Sequence, residues 1–119
     1  MGMARTVAAV FGAIYLIAGL AGFVLESPLF GLFAVNTLHN IVHIVIGAIL
    51  LYGSMSTVAA IQTTRGIGAL LVVLGILGFV EPFPDLVPLG GSDIFLHLAT
   101  GAILVATGFM SVTADVQTA

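Results

Sequence analysis

Four stretches of the chain are apolar on every face: Val7 to Leu25, about Leu38 to Tyr52, Gly66 to Val80 and Ile94 to Val112. Leu, Ile, Val, Ala and Gly dominate them, and apolar and polar positions do not alternate. That pattern predicts helices buried in lipid rather than strands. A helix needs about 20 apolar residues to cross a bilayer. The first and fourth stretches reach that length. The second, unless it starts as early as Leu29, and the third fall short unless they extend into polar flanks or sit in thin membrane. Glu26-Ser27-Pro28 and Glu81-Pro82-Phe83-Pro84-Asp85 are expected to break the helices, since proline removes a donor and restricts its predecessor. Ser54, Ser56, Thr57, Thr63 and Thr64 read as a polar interfacial loop. Asn36, and Ser92 or Asp93, suit the N-caps of helices two and four, where carboxylates also meet the positive end of the helix dipole.

Composition agrees with this reading. Charged residues make up 6% of the 119 residues, against about 25% in a soluble domain. So few charges cannot cover a water-facing surface, so lipid or other subunits must do so. One transmembrane domain, 1–119, is expected, in cell membrane. Arg5 and Arg65 are the only basic residues, which excludes a phosphate-neutralising patch and with it nucleic-acid binding. Cysteine is absent, so no disulfide forms. The net charge of −3 reads mostly as loop solvation by Glu26, Glu81, Asp85 and Asp93. Both arginines precede odd-numbered spans and those carboxylates fall between spans. The positive-inside rule therefore puts both termini in the cytoplasm. Arg65, just ahead of the third span, reads as an interfacial anchor with a snorkelling stem. The first span is too long for a signal-peptide core, and the Met1-Gly2 start that formally fits myristoylation adds little to a multi-span chain.

The chain also repeats itself. Gly12-Ala13-Ile14 through Gly19 to Gly22-Phe23-Val24 recurs 56 residues on as Gly68-Ala69-Leu70 through Gly75 to Gly78-Phe79-Val80, and Pro28 recurs as Pro84. His43, Gly47-Ala48-Ile49-Leu50 recurs 54 residues on as His97, Gly101-Ala102-Ile103-Leu104. Two tandem helical hairpins, 1–56 and 57–119, are expected to form an all-α, up-down-up-down four-helix bundle. Its halves would be related by an axis along the membrane normal. The glycines inside the spans read as close helix contacts.

The histidines are the chemically distinctive feature. His39 and His43 share a helix face with Gly47 in line, Asn36 and Asn40 lie beside them, and Asp93, His97 and Gly101 form the matching stripe on the fourth helix. Ionisable residues inside a span are costly and usually face the bundle interior. One reading has His43 and His97 fastening the bundle by hydrogen bonds, with Asn40 as a further partner. A second has them, with His39, ligate a metal, a haem or a chlorophyll-type pigment. A third makes His39, His43, Asp93 and His97 a path for protons or a small solute, against which stands the nearly purely apolar cytoplasmic half of the helices. No nucleophile has an adjacent base and orienting acid, so hydrolytic catalysis is not expected.

The run Leu32-Phe33-Ala34-Val35-Asn36-Thr37-Leu38-His39-Asn40-Ile41-Val42-His43, with Gly47 after it, resembles the signature of a prokaryotic membrane-protein family known as domain of unknown function 4383. The likeness extends to the Gly-rich first helix ending in Gly-Phe-Val, and to Asp93 and His97. It implies four spans, and it groups Asn36, His39, Asn40, His43, Asp93 and His97 as one motif. It implies no activity. The leading expectation is a small non-enzymatic accessory or structural subunit, packing in the bilayer against a larger membrane complex or against itself. The rivals are a haem, pigment or metal protein and, third, a small transporter.

Overall fold

The computed structural model describes residues 2–27, 35–81 and 88–118, with side chains as far as Ser111. It is all-helical: α1 Met3–Val24, α2 Thr37–Gly53, α3 Thr57–Leu77 and α4 Ser92–Thr118, with no strand among the described residues. α1, α3 and α4 as far as Ser111 are long and apolar enough to cross a membrane, and α2 is a shorter apolar helix. The chain is a helical membrane protein. The expected prolines at 28, 82 and 84, and Asp85, lie outside the described residues.

α2 starts where the sequence places it. Asn36 is extended and its side-chain Oδ1 accepts the His39 N–H at 2.8 Å, which supplies one of the partners a helix start lacks. α3 differs from expectation. It begins at Thr57, nine residues before the apolar run, and stops at Leu77. Ser56 caps it by accepting from the Ala59 N–H at 3.2 Å. Thr63 and Thr64 are helical residues whose hydroxyls donate back to the carbonyls of Ala59 and Ile61. The polar segment is thus mostly helix, because these hydroxyls find backbone acceptors one turn back. α3 thereby reaches spanning length through its polar flank. α4 also starts differently. Gly91 precedes it with φ 65°, and Asp93 lies in the first turn, fully buried. Its carboxylate makes no hydrogen bond that would cap the helix, and it does not solvate a loop.

α1 packs chiefly on α2, and α3 on α4, with lighter contacts of α1 with α3 and α4 and of α2 with α3. Glycine sets both tight interfaces. A Cβ at Gly47 would collide with the Leu16 backbone and sit 2.7 Å from the Gly12 carbonyl oxygen. A Cβ at Gly101 would sit 2.8 Å from the Gly68 carbonyl oxygen and the Val72 nitrogen. Such contacts let backbones meet where lipid provides no hydrophobic drive. Tyr15, Ile46, Leu50, Leu71 and Leu104, drawn from all four helices, are the large side chains of the buried core.

Arg65 does not precede its helix; it lies inside α3 and lies across α4. Its Nε donates to the Gly108 carbonyl at 3.2 Å, its stem lies where a Gly108 Cβ would be, and its guanidinium sits 4.2 Å from the Phe109 ring centre. Arg5 similarly donates from Nε to the Ser54 carbonyl at 2.8 Å, at the end of α2.

Candidate metal centre

Capping by Asn36 fixes where α2 starts, and so puts His39 in its first turn and His43 one turn further on the same face. Their ring centres are 4.4 Å apart. Asp93 and His97 are likewise four residues apart on α4. Where the two stripes face each other, His97 lies 6.1 Å, ring centre to ring centre, from both His39 and His43. One ligand nitrogen from each of the three imidazoles falls within 4.8 Å of the others. All three are essentially inaccessible to solvent, at 1–2% exposure.

Asp93 joins them through His39. Its Oδ2 is 3.8 Å from His39 Nε2, too long for a hydrogen bond but near enough that a small side-chain rotation would make one. It is the one buried carboxylate among the described residues. Both nitrogens of His43 and Nδ1 of His97 are buried without a hydrogen-bond partner. Leaving a buried polar group unmatched costs roughly 1–3 kcal/mol, a cost that a bound ligand or water at the cluster would offset.

The other motif residues separate. Asn36 is a cap. Asn40 turns towards α1, and its amide occupies the space that a Gly22 side chain would take. The structure thus draws His39, His43, His97 and Asp93 together and leaves the two asparagines as scaffolding.

Two residues join the site unannounced by the sequence reading. The Tyr15 ring stands edge-on to His43 at 5.3 Å, and its hydroxyl shares a 2.7 Å hydrogen bond with Thr100 Oγ1. Thr100 Oγ1 also lies 2.7 Å from the Leu96 carbonyl oxygen, to which it can donate. The available signal was periodicity. Ala4, Ala8, Gly12, Tyr15 and Gly19 form the buried face of α1, and Tyr15 is the single large residue on it. The half of the bundle holding Arg5 and Arg65 is also less apolar than expected, because Thr64, Thr107 and Ser111 are buried there. Leu104, fully buried, interrupts the polar row of α4 between Thr100 and Thr107.

Three neutral imidazoles with a carboxylate alongside form a donor set suited to borderline first-row ions such as zinc. Nitrogens bound to one tetrahedral ion at about 2.0–2.1 Å stand about 3.3 Å apart. The most widely separated pair would therefore close by up to about 1.5 Å, by side-chain rotation.

Residues 5–110 match the model of a family described as domain of unknown function (DUF4383). No curated protein and no solved structure matches the chain. With the match covering nearly all of its length, the chain belongs to the domain of unknown function 4383 family.

Proposed function

We propose that this is a metal-binding membrane protein whose working part is a buried centre of His39, His43 and His97. The observation that carries the reading is the convergence of three solvent-excluded imidazoles to within 4.8 Å from two helices. A hydrogen-bonded fastening would pair the ring nitrogens, yet those of His43 have no partner. A haem or pigment between His43 and His97 would need its flat ring to pass where His39 stands, 4.4 Å from one and 6.1 Å from the other by ring centres. A compact ion uses all three.

The centre sits in a scaffold we read as two tandem hairpins, up-down-up-down. The order of close contacts supports this: Gly12 meets Leu51 and Gly22 meets Asn40, while Gly68 meets Val105 and Gly78 meets Ile94. The arginines support placing both termini on the cytoplasmic side of a cell membrane. The reading assigns binding and no catalysis. An accessory role stands as the second reading, favoured by an apolar groove between α3 and α4 lined by Ala69, Val72, Ala102 and Val105. A helix of a larger complex or of another copy would pack there, and co-purification tests it.

Titrating the metal-stripped, tag-free protein with cobalt(II) tests the metal reading. One equivalent per chain is expected to give visible bands that His43→Ala and His97→Ala abolish. Colourless wild-type protein that binds neither cobalt nor zinc overturns it.

A further inference from the structure

We infer that Asp93 completes the centre through His39, as a positioning carboxylate rather than as a direct ligand. The inference rests on the metal-centre reading and assigns a ring nitrogen and a partner within it. Asp93 approaches His39 from the Nε2 side, at 3.8 Å. The close cluster of ligand atoms is made by the three imidazoles alone. The two nitrogens of an imidazole flank one ring carbon and point in diverging directions. Once Nε2 closes the remaining gap to the carboxylate, Nδ1 is the atom left to face the ion. A carboxylate that holds the far N–H of a ligating histidine fixes its tautomer and ring orientation and raises its basicity.

Electrostatics gives the arrangement its reason. A divalent ion among three neutral imidazoles keeps its full charge in a medium where isolated charge is very costly. Asp93 is the one buried carboxylate within reach among the described residues. Its place in the first turn of α4 puts it opposite His39 in the first turn of α2. One carboxylate thus joins the starts of two helices to the same ion. Asp93 is one turn from His97 on α4, but the ion-pair distance among the described residues is to His39, so the tuning falls there.

The experiment combines zinc affinity with nitrogen-15 NMR of the imidazoles in detergent-solubilised, zinc-loaded protein. Zinc is expected on Nδ1 of His39, with the proton on Nε2. Asp93→Asn, which keeps the shape and removes the charge, is expected to weaken zinc binding about 10–100-fold. Zinc on Nε2 of His39, or equal affinity in Asp93→Asn, overturns the role of Asp93 and leaves the metal centre standing. Absence of zinc binding by the wild type overturns the metal centre itself, and this inference with it. If Asp93→Asn does not fold, the tautomer of His39 in the wild type decides alone.

Discussion

Tyr15 shows how one side chain of α1 joins α2 and α4 at the edge of the imidazole cluster. Its hydroxyl bonds Thr100 on α4 while its ring edge supports His43 on α2. Tyr15→Phe keeps the ring and removes the bond. Polar contacts between membrane helices average about 0.6 kcal/mol, so a loss of roughly that size is expected in a denaturant unfolding titration. Metal stoichiometry should stay at one per chain. The histidines were legible in the sequence because ionisable residues within apolar spans stand out, and their spacing of four already put His39 and His43 on one face. Tyr15 was harder to read, because a tyrosine in a span equally suits an interfacial belt, and only its periodicity with Ala4, Ala8, Gly12 and Gly19 points it inward. Asp93 sits beside a loop in sequence, and its burial follows from the start of α4 at Ser92 rather than from its neighbours.

At the scale of the element, glycine positions decide how closely helices meet. Gly47 and Gly101 each face a backbone of the neighbouring helix at less than a normal van der Waals distance for any added carbon. Gly47→Val and Gly101→Val must therefore push the helices apart, at a cost of about 1–3 kcal/mol. Gly66 is the control, since a Cβ there meets nothing within 4 Å. Gly66→Ala should stabilise α3 by up to about 1 kcal/mol through helix propensity. Reversible unfolding of the three variants in mixed micelles measures the contrast, and equal effects would contradict it. The apolar runs located all four helices in the sequence. They misplaced the start of α3 because hydropathy marks where lipid begins, whereas a helix begins where its N–H groups are capped. Ser56 provides that cap, ten residues upstream of the apolar run.

For the whole molecule, the distribution of charge is the basis of the proposed orientation. Arg5 and Arg65 hold carbonyls of α2 and α4 at one end, while Glu81 closes a turn at the other by accepting the Gly90 N–H at 2.7 Å. The chain has no native cysteine, so single introduced cysteines report sidedness cleanly. Ser54→Cys should be labelled by an impermeant thiol reagent only from the cytoplasmic side, and Glu26→Cys only from the other. Labelling of both from one side would contradict the two-hairpin topology. Within that frame the imidazole centre is the feature that distinguishes this chain from a bundle held by packing alone. Elemental analysis tests it most directly, on untagged wild-type protein purified from its native membrane without chelators, alongside His43→Ala. A single first-row transition metal near one equivalent per chain, lost in His43→Ala while the protein stays folded, is the expected result. Metal-free wild-type protein that also fails to take up zinc or cobalt would contradict the account.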